Sequence, residues 1–412
     1  MRDVDQFSMA DPATASCPFA YYDAMRREEP VHRDPGTGFW WVTSHELNIQ
    51  CLMDTERFSS KGDLLIKKHF RPRAQALWDA AGMKAIDTLV TTDPPEHDDY
   101  RSVGIKLFSY RTVEDMVPQI EKLAHELIDN FAAKGTVDFL RDFARPLPAT
   151  IVCDEFGLPR ADQPSFKAWT DALFGMMTPG ISEDTEVELI QKVIEMFRYL
   201  DAHIKQAAQG PAGRVIHSLA TLNRKDGTPF SALERSWMAI TTFAGGNDTT
   251  RNMLSSCMHK LVLCPELQET LRGNDDRIER FVEEMLRLES SVQGLPRVAT
   301  CDIDIAGVTI PKGANIVLCP PAANRDPARW PHPAEFDLDR PDGNRHIAFG
   351  HGRHACFGMP LARRELQIAI RILLERLRDI RLARPEEEVK HLPVPFFREI
   401  INLPLVFSPA MG

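Results

Sequence analysis

The chain has 412 residues, 43% of them hydrophobic, and a formal net charge of -10. That charge argues against nucleic acid as a general partner, since phosphate binding needs a concentrated basic surface, and no 18-residue apolar stretch is present to span a membrane. The eight cysteines have no framework spacing and Met1–Asp11 is polar, so the expectation is reduced thiols in a cytoplasmic, non-secreted protein.

Prolines are spread along the chain, and neither a low-complexity linker nor a repeat divides it, which predicts a single unit over residues 1–412. Residues 18–30 read as a helix, Gly38–Thr43 as a strand and Glu46–Met53 as a second helix. The segment 57–89 is mixed in pattern, a long excursion of the kind that serves as a substrate lid. After the paired prolines Pro94 and Pro95, a helix start places His97 and Arg101 four residues apart on one face. Two such donors can grip an anion, and the same spacing also suits an exposed helix face. Further helices are predicted over 113–133, 160–175, 184–208 and 212–222, from Gly and Pro punctuation.

Ser231-Ala-Leu-Glu234 is a capping box opening a helix that runs to about Leu263. At its middle lies Ala244-Gly245-Gly246-Asn247-Asp248-Thr249-Thr250, where each glycine costs about 1 kcal/mol of helix propensity. The pattern predicts a widened turn with room for a small ligand, with Thr249 offering a hydroxyl and Asp248 a proton. Close packing of two helices is the other use of such glycines. Asp275–Glu289 reads as an amphipathic helix carrying the pair Glu284 and Arg287, residues 293–318 as paired strands, and 324–340 as an irregular meander anchored by Trp330 and Phe336. The fold class is therefore mainly α with a minor β-sheet subdomain.

Phe349-Gly-His-Gly-Arg-His-Ala-Cys356-Phe-Gly358 then leads into a helix predicted to about Arg381, with Pro360 in its first turn. Three glycines let the backbone turn tightly and let something large approach Cys356. A thiolate at a helix start is stabilised by free N–H groups, which suits a metal ligand or a nucleophile. An inert buried cysteine stays open at this point, as does zinc on His351, His354 and Cys356, although that cluster lacks a fourth ligand.

Taken together, these motifs resemble the cytochrome P450 family over nearly all of the chain from Pro94 onward. The loop 349–358 fits its FGxGxHxCxG pattern at each fixed position, 245–250 fits its oxygen-binding helix, and Glu284-x-x-Arg287 fits its structural pair. The resemblance implies the P450 fold with a long helix crossing above haem b, and Cys356 as the proximal thiolate ligand of the iron. It further implies Phe349 and Gly358 beside that thiolate, His97, Arg101, Arg297 and His354 on the haem propionates, and Glu284, Arg287 and Arg340 as a buried structural network. Asp248 and Thr249 would deliver protons. The substrate pocket would lie under residues 77–89, along Thr242 and Gly245, beside Val292, Leu295 and Val298, and at Phe396 and Phe397, for a small or medium hydrophobic molecule, with Arg71, Arg73 or Arg398 as candidate carboxylate anchors. The implied activity is monooxygenation with O2, electrons coming from a [2Fe-2S] ferredoxin and an NAD(P)H-dependent ferredoxin reductase. Lys106, Arg353, Arg363 and Arg364 would attract that partner, and a monomer is expected. A peroxide-driven peroxygenase and a haem-binding sensor or carrier are the alternatives.

Overall fold

The computed structural model describes residues 3–62, 69–178, 180–207, 212–385 and 387–410. Its helices are α1 (Pro12–Ser16), α2 (Phe19–Glu28), α3 (His45–Met53), α4 (Pro72–Ala80), α5 (Glu96–Leu107), α6 (Tyr110–Asp129), α7 (Pro146–Phe156), α8 (Gln163–Gly175), α9 (Glu183–Ala207), α10 (Arg214–Thr221), α11 (Ala232–Leu263), α12 (Pro265–Leu271), α13 (Asp275–Glu289), α14 (Pro320–Ala323) and α15 (Met359–Arg376). The strands are β1 (Val31–Arg33), β2 (Trp40–Val42), β3 (Phe58–Ser59), β4 (Thr136–Asp138), β5 (Leu295–Ala299), β6 (Ile303–Ile305), β7 (Val308–Ile310), β8 (Asn315–Leu318), β9 (Leu377–Leu382) and β10 (Pro404–Pro409).

The predicted mainly helical class with a small sheet is what forms. One sheet runs β1-β2-β8-β5-β3, a second β4-β10-β9, and β6-β7 is a separate hairpin. That hairpin turns through Ala306 and Gly307, both at positive φ, the backbone that a two-residue connection demands. In the first sheet only β2 and β8 pair parallel; β5 lies antiparallel to β8, opposing Arg297 to Ile316.

α11 is the axis of the helical core. Its capping box is present, Ser231 accepting from the Glu234 N–H and Glu234 from the Ser231 N–H. At a rise of 1.5 Å per residue its 32 residues reach roughly 48 Å, enough to cross the protein. Trp237, Phe243, Leu254 and Met258 are buried along it, and the Phe243 ring meets Phe156 of α7 and Phe166 of α8 edge-on at 5.4 and 5.0 Å.

Three elements depart from expectation. α7 gives no amphipathic signal because it is buried on nearly all sides, from Leu147 through Phe156; only Gly157, in the left-handed region at φ 69°, marks its end. The last helix stops at Arg376 rather than Arg381, because Leu377–Leu382 pairs with β10 and tertiary pairing overrides helix propensity. In the excursion 57–89, residues 63–68 lie outside the described residues, while α4 is a regular helix packed on the core through Ala74 and Trp78.

Candidate active site

The loop 349–358 is held from two sides. Gly352, at φ +68°, sits so close to α3 that a Cβ there would lie 2.9 Å from Met53 Sδ. On the other side the ring of Phe357 stacks on Phe108 at 5.8 Å and lies against Gly104 of α5, where a Cβ would come within 2.9 Å of it. Arg101, also on α5, donates to the Ala355 carbonyl, and the Cys356 N–H donates to the Phe349 carbonyl at 2.8 Å. Cys356 is thereby fixed two residues before Gly358, the N-cap of α15, whose Cβ, if present, would stand 3.7 Å from Sγ. The thiol's accessible surface belongs to an internal cavity rather than to the outside of the protein. Burial accordingly pushes the Cys356 thiol up, opposed by the N–H groups of Gly358 and Met359 and by Arg101 and Arg363.

That cavity has a volume of about 350 Å³. Four basic side chains line it, His97, Arg101, Arg297 and His354, from α5, β5 and the loop. His97 and His354 stand with ring centroids 4.2 Å apart, and Ser60 Oγ lies 3.1 Å from His354 Nε2. Burial, then Arg297, His97 and Arg101, drive His354 down to about 3, and burial draws Arg297 down to about 10 against the pull of Asp93. His97 is lowered too, by burial and by Arg101. Clustered donors that disfavour one another's charge gain by sharing an anion, so this wall fits the propionate edge of a haem, and the thiol facing the same space fits its iron.

α11 forms the opposite wall. It stays regular through 245–249, so the widened turn expected there is absent; the room comes instead from Gly245, whose missing side chain would meet nothing within 4 Å. Gly246 has the other purpose, its backbone packing so closely on α7 that a Cβ would lie 3.1 Å from Val152 Cγ2. Thr249 lines the cavity and its hydroxyl donates to the Gly245 carbonyl at 2.8 Å. Asp248 is not brought there. It is buried behind the wall, with Arg251 Nη1 3.2 Å from its carboxylate and Arg251 Nη2 2.8 Å from Glu399.

Thr242, Gly245, Val292, Leu295, Val298, Phe396 and Phe397 all line the same cavity. Of 77–89 only Leu89 reaches it; Leu77 packs into the helical core instead. None of the candidate anchoring arginines lines it. Arg71 donates to the Ile181 carbonyl, Arg73 pairs with Asp184 at 2.5 Å, and Arg398 pairs with Glu289 at 2.7 Å. Sequence reasoning missed Phe156, Phe174 and Met177 in the wall, which carry no motif, and Glu365. Glu365 is 1% exposed, its Oε2 has no partner among the described residues, and burial holds its carboxyl well above the usual range.

Away from the cavity, Glu284 takes both Arg287 (2.7 and 2.8 Å) and Arg340 (3.0 Å), all three buried. The two guanidinium groups then tie down the meander through the carbonyls of Asn324, Pro333 and Pro331. Among the surface cations considered, Arg363 is corrected: it forms a bidentate pair with Glu283 at 2.7 Å and stacks on Phe349, so it faces the protein. Arg353 pairs with Asp98 at 3.0 Å and Arg364 with Glu114 at 3.2 Å. Lys106 is exposed and has no ion-pair partner among the described residues. No described helix is long and apolar enough to cross a membrane.

A family model described as Cytochrome P450 matches residues 62–386. The chain is 31% identical over 392 residues to the mycinamicin IV hydroxylase/epoxidase of Micromonospora griseorubida, covering 94% of each chain. Its fold superposes with a TM-score of 0.89 on cytochrome P450 CREJ in complex with (4-ethylphenyl) dihydrogen phosphate, at 25% identity and 98% coverage of both chains. With P450BioI, solved in complex with a hexadec-9Z-enoic acid ligated acyl carrier protein, it shares 30% identity and a TM-score of 0.86 over 96% of this chain and 99% of that one.

Proposed function

The chain belongs to the cytochrome P450 family, with haem b as its cofactor, and from that membership we propose a monooxygenase that places one oxygen atom of O2 into a small or medium hydrophobic molecule. The observation that carries this reading is the meeting of Cys356, the basic cluster, Gly245 and Thr249 on one cavity. Haem held there would supply O2 activation, with Cys356 as its thiolate ligand and His97, Arg101, Arg297 and His354 binding its carboxylates. Phe349 and Gly358 shape the loop around the sulfur.

Everything else is the work of the chain. Thr249, which donates its own proton to Gly245, keeps two acceptor lone pairs for a proton donor in the cavity. Asp248 stands behind Thr249 as the carboxylate that would pass protons toward the cavity, and Arg251, which also pairs with the half-buried Glu399, holds that carboxylate in place without itself releasing a proton. The apolar walls exclude bulk water and orient the substrate. The overall balance is RH + O2 + two electrons + two protons giving ROH + water, and the electrons come from a separate redox partner, a [2Fe-2S] ferredoxin served by an NAD(P)H-dependent reductase. The molecules named with the relatives are chemically unlike one another, so the substrate class follows from this cavity's own walls.

The test is reconstituted turnover, using a compound that shifts the haem spin state. NAD(P)H consumption should match product formation in the wild type. In Thr249→Ala, consumption should continue while product falls roughly 10- to 100-fold and peroxide appears. Unchanged coupling in that variant would remove Thr249 from proton handling; turnover with peroxide alone would favour a peroxygenase, and binding without turnover a sensor.

A further inference from the structure

Thr242 sits on the cavity wall and is 7% exposed, yet its hydroxyl has no hydrogen-bond partner among the described residues. A threonine inside a helix ordinarily bonds back to a carbonyl one turn earlier. Its neighbours do so: Thr241 donates to the Trp237 carbonyl at 3.0 Å and Thr249 to the Gly245 carbonyl at 2.8 Å. A hydroxyl on the cavity wall that no protein group pairs takes its partner from the cavity, water before a ligand arrives and the ligand afterwards. Thr250 also lines the cavity with no partner among the described residues, but it adjoins Thr249 and belongs to the proton-handling end. Thr242 lies seven residues away, about 10 Å along the axis of α11.

The charge of the cavity narrows what pairs with it. Its only lysine or arginine side chains among the described residues are Arg101 and Arg297, which with His97 and His354 form the anion cluster already assigned to haem. A second anion has no cation of its own. The rest of the wall is mostly apolar and partly aromatic, with Phe156, Met177 and the tilted pair Phe174 and Phe397, whose ring centroids are 4.7 Å apart, and its carboxyl groups, Glu155, held by Arg214, and Glu365, offer a second anion no attraction.

Building on the haem-thiolate reading of this cavity, we infer that the substrate is a neutral molecule with an apolar body and one hydrogen-bonding oxygen, which pairs with the Thr242 hydroxyl while the far end of the molecule is presented for oxidation. Thr242 is then a specificity-determining residue.

The test titrates the haem-loaded protein with 4-hydroxybiphenyl, biphenyl and biphenyl-4-carboxylate, following the haem absorbance, in the wild type, Thr242→Ser and Thr242→Val. Wild type and Thr242→Ser should bind 4-hydroxybiphenyl roughly three- to tenfold more tightly than biphenyl, the worth of one hydrogen bond, with the carboxylate weakest. Thr242→Val, which deletes the hydroxyl and keeps the shape, should lose that preference and bind biphenyl at least as tightly as the wild type does. A preference that survives in Thr242→Val, no preference in the wild type, no binding by any of the three probes, or tightest binding of the carboxylate overturns the proposal. The carbon monoxide spectrum of each reduced protein keeps the two layers apart: a wild type without the thiolate signature overturns the assignment of Cys356, and the proposal falls with it.

Discussion

Glu365 shows how burial decides what a residue is. In the sequence it directly follows two arginines, Arg363 and Arg364, yet it is fully enclosed beside the cavity with its carboxyl pKa raised by desolvation. The folded protein therefore keeps this proton above the ordinary value of 4.5, where the unfolded chain releases it. Since the folded state then binds more protons, stability falls as pH rises above that value. Glu365→Gln, a neutral shape mimic, should melt higher than the wild type at pH 7, and the gap should close as pH falls below 4.5. Equal melting temperatures at both ends of that range would show that Glu365 carries no buried proton. A signal for its burial was present in the spacing, since Leu361, Glu365, Ile368 and Ile372 fall on one helical stripe, and all four are buried. Thr242 gave no comparable signal, because an unpaired hydroxyl is a property of its surroundings.

Among the elements, α13 and the meander are joined by charge rather than by apolar packing. Among the described residues Glu284 is the sole anion holding Arg287 and Arg340, and all three are buried. Glu284→Gln strands two buried guanidinium groups, and the expected loss is roughly 3–5 kcal/mol, with weakened haem retention. Denaturant unfolding followed in parallel by far-UV circular dichroism and haem absorbance measures both, and a loss under about 1 kcal/mol would show that the backbone carbonyls alone suffice to hold the two arginines. The spacing of Glu284 and Arg287 made this pair visible in the sequence, but an i,i+3 pair on a surface helix looks the same. Only the fold, which delivers Arg340 from 56 residues away, makes it a buried network.

On the scale of the whole molecule, a chain of net charge -10 would receive the acidic ferredoxin proposed above only on a local patch. Three of the four cations considered for that role are paired with carboxylates, leaving Lys106 beside the exposed Ile105 and near the exposed Tyr110. In the proposed ferredoxin complex, Lys106→Glu should slow reduction severalfold at low ionic strength, with the difference fading as salt screens the contact. Stopped-flow reduction across a salt series reads this directly, and rates that match the wild type throughout would place the partner elsewhere.

What the sequence determined by itself is the chemistry that depends on neighbours along the chain: the cysteine loop, the capped long helix and the Glu284–Arg287 pair are local patterns, legible because glycine φ, helix caps and i,i+3 spacing are properties of short segments. The all-round burial of α7, the strand that replaces the end of α15, the diversion of Asp248 to Arg251 and the commitment of the arginines away from the cavity were decided only by tertiary structure. Burial and pairing depend on groups far apart in sequence, and the same residue is a solvated charge or an enclosed proton according to what the fold sets against it.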